Sequence, residues 1–185
     1  MIALTTGRET SQRLNSLLND LAHTIPNAKI VRRGKSSIQE LTERLVGEGV
    51  DYALAIYRTH GGPGRIELLR VQPAAMSAIP PMIMLSSVKL RREYAEHSRY
   101  VAQAITFDKA ISDQARRFCE VLSRVLRLPT LNLHADTRLK STLHVSERTD
   151  GLIQLVATSP AQRQVGPRLL ISRLIWDLHA SKQEI

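Results

Sequence analysis

The sequence is short of several residue types, and each shortage argues against a class of protein. Cys119 is the single cysteine, so one chain forms neither a disulfide framework nor a cysteine-rich zinc cluster, and we expect a reducing, cytoplasmic setting. Aromatic residues make up 4% of the chain, which argues against a broad stacking platform for nucleic-acid bases. The residues that could each stack on a base are four tyrosines: Tyr52, Tyr57, Tyr94 and Tyr100.

Long hydrophobic runs are also missing. The longest apolar stretch, AIPPMIML, is too short to span a bilayer and contains two prolines. The opening segment, MIALTTGRET, lacks the apolar core of a signal peptide. We therefore expect no membrane partner.

Signatures of catalysis are scarce. The sequence has no P-loop and no GxGxxG pattern, and its six histidines never pair at i, i+4 or in HExxH spacing, so we expect no nucleotide cofactor and no zinc. Carboxylates are scattered, without an evident acid–base pair. Cys119 falls on the inward face of a predicted helix, which indicates an inert core thiol. The sequence therefore predicts a protein that is not an enzyme.

Positive charge is what the chain has in excess. It contains 26 lysines and arginines against 17 aspartates and glutamates, which gives a formal net charge of +9 and a pI of about 10.3. This balance favours a polyanionic partner. Arginine outnumbers lysine 20 to 6, and its planar fork suits phosphates and bases, which indicates RNA. No tail carries the charge, so a basic surface must be assembled by folding.

One basic stretch, AKIVRRGKSSIQEL, joins a short apolar strand to the start of a helix. Arg32, Arg33 and Lys35 surround a glycine there, and Ser37 and Glu40 have the spacing of a capping box. The first amides of a helix lack intrahelical partners and lie at the positive end of its dipole. Cations beside them favour a bound phosphate, although a solvated basic turn is the simpler alternative. We predict a phosphate contact at this turn.

Apolar spacing predicts three helices and a set of short strands. The helices are expected over 9–24, about 37–47 and about 110–126. Thr6 and Glu9 have capping-box spacing before the first helix, and Ile38 is expected to point inward from the second. The predicted strands are IALTT, AKIV, DYALAIYR, RIELLRV, PMIMLSSVKL, RLKSTLHV and GLIQLVATS.

Two parts of the sequence resemble each other at an offset that grows from 101 to 103 residues. ALTTGRETSQRLNSLLNDLAHTIPNAKIV lies over AITFDKAISDQARRFCEVLSRVLRLPTLNLH, and PGRIELLRV lies over GPRLLISRLI. The second match assigns RLLISRLIWDL to a strand, although alone it fits a helix equally well. We predict an α/β fold of two structurally similar halves with quasi-twofold symmetry, about 1–80 and 81–185, each a small mixed sheet covered by helices.

Further cations stand where strands end or turns begin. Arg8 follows the first strand, Arg65 and Arg168 occupy matching positions of the repeat, and Arg91 and Arg92 close a strand. Each alone is better explained as a solvated or ion-paired surface residue, whereas the joint pattern favours an RNA-phosphate site. The predicted RNA contacts are Arg8, Arg32, Arg33, Lys35, Arg65, Arg91, Arg92 and Arg168.

Four pieces of the chain carry a family resemblance: LTTGRETSQRLNSLLNDLAHTIPNA, VRRGKSSIQELTE, DYALAIYRTHGGPGRIELLRV and VGPRLLISRLI. They resemble the Brix-domain family of ribosome-biogenesis proteins, and reach from residue 2 to about 175, with 72–135 less distinctive. The long charged extensions of larger eukaryotic members are missing, as in the archaeal, core-only form. One departure is Gly7, where the family often has serine.

The resemblance implies a single domain similar to the anticodon-binding domain of class II aminoacyl-tRNA synthetases. It also implies a role without catalysis in pre-rRNA processing and ribosomal subunit assembly, with rRNA or pre-rRNA and other ribosome-assembly proteins as partners. Two alternatives stay open. One is a module that contacts mainly protein, and the other is a phosphate-handling enzyme such as a nuclease, which would need clustered carboxylates for a metal.

Overall fold

The computed structural model describes residues 1–59, 61–94, 100–132, 139–159, 161 and 163–178. The elements in chain order are β1 (Ile2–Thr6), α1 (Gln12–Thr24), β2 (Ala28–Ile30), α2 (Ile38–Gly47), β3 (Tyr52–Thr59), β4 (Gly62–Val71), β5 (Met76–Lys89), a 3-10 turn (Arg91–Glu93), β6 (Ala104–Phe107), α3 (Asp113–Leu126), β7 (Thr130–Asn132), β8 (Thr142–Glu147), β9 (Ile153–Thr158) and β10 (Gln164–Ile175). The mixed α/β class predicted from the sequence is confirmed. The chain divides into two compact units.

The first unit comprises Met1–Asn19, Asn27–Leu85 and the chain from Arg173 onward. Its strands follow the order β2-β1-β3-β4-β5. β1 is parallel to both β2 and β3, and the β3–β4 and β4–β5 pairs are antiparallel. Every residue of β1 is buried, as expected of a central parallel strand whose apolar and β-branched side chains are covered on both faces.

α2 packs on this sheet through one narrow face. Leu41 and Leu45, four residues apart, are 2% and 0% exposed and join a core cluster with Val31 and Val50. Ile38 was expected to share this face, but it is 50% exposed. It occupies the first position of the helix, one turn beyond the leucines that reach the core cluster, so the prediction for Ile38 is wrong.

The start of α1 differs from the prediction. The helix begins at Gln12, not at residue 9, and the Leu14 amide donates to the Ser11 hydroxyl at 3.2 Å. Thr6 does not cap the helix, because it is the last residue of β1, where it pairs with Ile56 and is buried. Ser11 therefore takes the capping role that the sequence pattern assigned to Thr6.

The second unit comprises Asp20–Pro26 and Ser86–Ser172. Its strands follow the order β7-β6-β8-β9-β10, with β6 parallel to β7 and β8 and with antiparallel β8–β9 and β9–β10 pairs. The predicted apolar face of α3 is confirmed, since Ala115, Phe118, Cys119, Leu122 and Leu126 are all buried. The strand order therefore has the same form in each unit, while the quasi-twofold arrangement stays a prediction.

Several strand boundaries depart from the sequence patterns. β10 is a strand, as the internal repeat indicated. β5 begins at Met76, ahead of the predicted PMIMLSSVKL, and β4 begins at Gly62, inside the predicted turn. β8 begins at Thr142, later than predicted. The predicted strand began at residue 138, which lies outside the described residues. Antiparallel pairing with neighbouring strands extends β4 and β5 beyond their apolar cores.

Candidate nucleic-acid interface

Parallel pairing brings two basic turns to one edge of the first unit's sheet. β1 and β2 run parallel and end at Thr6 and Ile30, so the segments that follow them emerge on the same side. In open α/β sheets this carboxyl edge is where ligands bind. The two segments line a cleft of about 360 Å³ whose described lining residues include no carboxylate. Its cations are Arg8, Arg32, Arg33 and Lys35, so four of the predicted contacts lie together.

The basic turn, residues 32–35, is held by its own hydrogen bonds. Gly34 adopts φ of 59°, a left-handed conformation that glycine reaches without strain. The Arg33 Nε donates to the Ser36 carbonyl at 3.1 Å, and the Arg44 Nη2 donates to the Arg32 carbonyl at 2.9 Å. Arg33 and Arg44 therefore fix the path of the turn.

The start of α2 lies outside the residues that line the cleft. The predicted capping box is confirmed, with the Glu40 amide donating to the Ser37 hydroxyl at 3.1 Å and the Ser37 amide donating to the Glu40 carboxylate at 2.7 Å. Glu40 thus places a negative charge at the helix start, and none of residues 36–40 lines the cleft. The capping box occupies the Glu40 amide, and the coincidence of cations with free α2 amides stays a prediction.

Three of the four cations have no partner in the described part of the chain. The side chains of Arg8, Arg32 and Lys35 are exposed, and none forms an ion pair or hydrogen bond with a described residue. No described carboxylate therefore forms an ion pair with any of these three side chains. A polyanion entering the cleft meets uncompensated positive charge.

The Tyr57 ring packs closely against Gly7, in the turn between β1 and α1. A Cβ added at Gly7 would lie 2.9 Å from the Tyr57 Cδ1, so the close approach of the ring requires glycine there. The Arg65 guanidinium lies 4.3 Å from the ring centroid, and its Nε is 3.3 Å from the Glu67 Oε1. Burial, together with Glu67, raises the pKa of Tyr57 to about 12. Arg65, a predicted RNA contact, is thus engaged with Tyr57 and Glu67, and the ring face that it covers cannot stack a base.

The other predicted contacts belong to the second unit. The Arg91 amide donates to the Asp20 carboxylate at 2.8 Å, and Arg92 is exposed. Arg168 is half-buried in β10, where its charge opposes the rise in the pKa of Tyr94 that burial causes. The Lys89 ammonium lies 4.3 Å from the Tyr94 ring centroid, so this tyrosine also has a ring face covered by a cation.

The matching strand edge of the second unit is occupied by the chain's own carboxylates. Glu147, at the end of β8, accepts hydrogen bonds from the Ser112 amide at 2.7 Å and from the Ser112 hydroxyl, at the start of α3. Asp108, just after β6, lies 3.2 Å from the His144 Nε2. This helix start therefore already holds an anion, in keeping with the positive end of its dipole.

Sequence patterns missed several residues of these two edges. Thr10 and Asn15 line the cleft, and Asn15 was hidden within the polar positions of α1. The Ser112–Glu147 contact joins residues 35 positions apart, and no short motif signals it. The strand pairing of β6 with β8 creates that contact.

The remaining chemistry of the described residues is structural. Cys119 is 1% exposed, and burial raises the pKa of its thiol to about 12, so the thiolate that reacts with electrophiles is suppressed. No group of three or more potential metal ligands occurs among the residues that were placed. Within the same residues, none of the helices has the length and apolar character needed to cross a membrane.

Comparisons with known proteins agree with one another. No family model matches the sequence. A probable Brix domain-containing ribosomal biogenesis protein from Pyrobaculum aerophilum is 29% identical over 172 residues, covering 90% of this chain and 89% of that protein. A protein of the same description from Pyrococcus horikoshii is 32% identical over 93 residues, which is 50% of this chain and 41% of that protein.

Solved structures share the fold. The crystal structure of a probable ribosomal biogenesis protein from Aeropyrum pernix matches with a TM-score of 0.74 and 23% identity, covering 94% of this chain and 98% of that one. An archaeal Imp4-like protein matches with a TM-score of 0.65 and 19% identity, covering 96% and 100% of the two chains. These likenesses define a mixed α/β fold of the Imp4-like type.

The sequence relatives carry one common description. Similarity to the Pyrobaculum protein extends over nearly the whole chain, and the shorter matches in other archaea carry the same description. The chain is thus similar over most of its length to a protein described as Brix domain-containing, which agrees with the resemblance of the sequence pieces.

Proposed function

We propose that this protein is a non-catalytic ribosome-biogenesis factor that binds rRNA or pre-rRNA through the basic cleft. The names of its relatives support the biological role. The observation that carries the molecular role is the meeting of Arg8, Arg32 and Lys35 at one cleft without a carboxylate among its described lining residues. We propose a cytoplasmic site of action, with other assembly proteins as partners.

Charge explains why RNA is the favoured ligand. The net charge of +9 attracts polyanions from a distance, and cations that neutralise phosphates release condensed counterions. The turn that carries Arg32 and Lys35 is braced by Arg33 and Arg44, so its cations are positioned before binding. Less conformational entropy is then lost when a phosphate arrives.

We also propose that the domain consists of two similar halves with quasi-twofold symmetry, about 1–80 and 81–185, resembling the anticodon-binding domain of class II aminoacyl-tRNA synthetases. The matching strand orders and the repeat at offsets of 101 to 103 residues support this proposal. Superposing residues 2–31 on 103–132 of an experimental structure tests it. The duplication is contradicted if α1 and α3 do not take equivalent places against their sheets.

The molecular role is tested with a matched pair of triple variants. The cleft variant changes Arg8, Arg32 and Lys35 to alanine and leaves Arg33 and Arg44 to hold the turn. The control changes two arginines and one lysine that are exposed and lie outside the cleft, namely Arg70, Arg124 and Lys140. Both variants lose the same net charge, so any difference between them reports on position.

RNA affinity is measured for the parent and both variants over a salt series. The parent's log affinity should fall with log salt, by about 0.7 per phosphate contacted on a single strand. The cleft variant should lose roughly 1–3 kcal/mol of binding free energy. Its slope of log affinity against log salt should fall by the equivalent of about one to two phosphate contacts, and its thermal melting should change little. Equal losses from both variants would mean that net charge alone matters. Absence of RNA binding by the parent would favour the protein-contact alternative.

A further inference from the structure

We propose that Arg58, at the end of β3, is a further RNA-phosphate contact, and that the bound strand runs from the basic cleft across the end of β3. This inference rests on the proposed function, because it extends the same binding site. It assigns a role to an arginine that the sequence patterns did not single out and that the lining of the cleft does not include.

The register of the strands places Arg58 beside the cleft. β1 and β3 are parallel, and Thr6, which lines the cleft, pairs with Ile56. Side chains alternate along a strand and paired residues share a face, so Arg58, two residues after Ile56, lies on the face of the sheet that Thr6 occupies. The spacing of strands and residues separates the Cα atoms of Thr6 and Arg58 by roughly 8 Å.

An irregularity in the β3–β4 hairpin leaves this placement unchanged. Tyr57 pairs with Arg65 and Arg58 pairs with Pro63, so Gly64 is the extra residue and the bulge lies in β4. The alternation of side chains along β3 therefore continues up to Arg58. Because Arg58 is paired with β4, its backbone is already held in place before RNA binds.

Arg8 and Arg58 stand at corresponding positions on neighbouring segments. Each comes two residues after the Thr6–Ile56 pair, and the Gly7 amide, just before Arg8, donates to the Ile56 carbonyl at 3.1 Å. Both arginines are exposed, and neither forms an ion pair or hydrogen bond with a described residue. Like charges on adjacent segments repel each other, and an anion between them replaces that repulsion with attraction.

The position of Arg58 favours a ligand with several charges over a single phosphate ion. The strand order β2-β1-β3 places β1 between the basic turn and Arg58. A phosphate held by Arg32 and Lys35 at the end of β2 is therefore about two strand spacings, roughly 10 Å, from the end of β3. A strand of RNA carries a phosphate at every nucleotide, so it can place one at the basic turn and another between Arg8 and Arg58.

A matched pair of single variants tests this assignment. Arg58→Ala and Arg70→Ala each remove one exposed arginine from the β3–β4 hairpin, but Arg70 pairs with Tyr52 at the start of β3, the opposite end of the hairpin. The affinity for a fluorescently labelled uridine strand of about 12 nucleotides is measured over a salt series. We expect Arg58→Ala to weaken binding by roughly 3- to 10-fold and to lower the slope of log affinity against log salt by about 0.7, as the loss of one phosphate contact does. Arg70→Ala should weaken binding by less than about 2-fold, with the slope of the parent.

A second variant separates a phosphate contact from a structural role. Arg58→Lys keeps the positive charge, and lysine also binds phosphates, so its affinity should stay within about 3-fold of the parent's value. Thermal melting should change little in all three variants, because exposed charges contribute little to stability. A loss of affinity for Arg58→Lys as large as the loss for Arg58→Ala would overturn the inference.

The remaining outcomes distinguish this inference from the proposed function. Equal losses from Arg58→Ala and Arg70→Ala, or no loss from Arg58→Ala, overturn the inference, while a loss in the cleft triple variant still supports the proposed function. Two RNA strands bound per protein, one of which Arg58→Ala removes, would overturn the single continuous path. Displacement of the RNA by an oligoglutamate peptide of equal charge and concentration also overturns it, in favour of an acidic protein ligand. Failure of the parent to bind any RNA overturns the proposed function itself.

Discussion

The carboxyl ends of the parallel strands in the two units show how similar strand orders lead to different surfaces. At the first edge the turns after β1 and β2 carry Arg8, Arg32 and Lys35, and their charges have no described partner. At the second edge Glu147 accepts hydrogen bonds from Ser112 at the start of α3. The chain satisfies one helix start with its own anion and leaves cations exposed at the other edge. Among the described residues, this contrast supports our proposal that an external anion binds at the first edge.

The largest change in RNA affinity is expected when carboxylates are introduced at the first edge. Changing Arg32 and Lys35 to glutamate should weaken RNA binding by on the order of 100-fold or more, because like charges face each other in the bound state. A fluorescence-anisotropy titration against an rRNA fragment measures the change. The matched control is Arg70→Glu with Lys140→Glu, outside the cleft. An equal loss in that control would contradict a localised site.

A substitution at Gly7 disturbs the first edge without changing its charge. Serine at this position would bring a Cβ to 2.9 Å from the Tyr57 ring, which Arg65 holds on its face. Displacing the ring should lower the free energy of unfolding by roughly 1–3 kcal/mol, as expected for overpacking. Urea denaturation measures this loss. Gly47→Ser is the control, since nothing lies within 4 Å of a Cβ there; an equal loss in both variants would contradict the steric account.

The second edge is changed by removing Glu147, the carboxylate that accepts hydrogen bonds from Ser112 at the start of α3. Glu147→Ala deletes the acceptor for the Ser112 amide and hydroxyl, and should lower the free energy of unfolding by about 1 kcal/mol. Glu120→Ala, on the exposed side of α3, should change stability by less than about 0.5 kcal/mol. Thermal melting compares the two variants. RNA affinity should stay at the parent's value, and a large gain in affinity for Glu147→Ala would show that this edge also binds RNA.

The smallest expected effect concerns alkaline pH. The pKa of Tyr57 is raised to about 12 from the ordinary value of 10.0, so the folded state retains a proton that the unfolded state releases. The stability that this group contributes is complete below pH 10 and falls as pH rises from 10 to 12. Absorbance at about 295 nm should show a late-titrating tyrosine that Tyr57→Phe removes. A parent in which every tyrosine titrates near 10 would contradict the buried environment of the ring.

Local patterns predicted the elements better than they predicted the site. The apolar spacing of α3 and the Ser37–Glu40 capping box act within a few residues, so the sequence alone was enough to predict both. The grouping of Arg8 with the basic turn was anticipated by their shared place after a strand, and parallel pairing of β1 and β2 produces it.

Tertiary contacts decided what the sequence did not predict. Thr6 was assigned to a helix cap because spacing does not reveal that β1 extends to Thr6 beside Ile56. The engagement of Arg65 by Tyr57 depends on the register of β3 against β4, which pairs these two residues. The closure of the second edge by Glu147 depends likewise on where β8 ends. Charge and spacing cannot distinguish a free arginine from one that a neighbouring strand engages.

The most direct test of the contrast between the two edges is photo-crosslinking of the intact protein to 4-thiouridine-labelled rRNA, followed by mass spectrometry of the crosslinked peptides. The account predicts crosslinks within residues 6–18 and 31–35, which include the residues that line the cleft. It predicts no concentration of crosslinks at residues 108–112 and 147, where Glu147 already occupies the helix start. Crosslinks concentrated at the second edge, with none in the cleft, would contradict it.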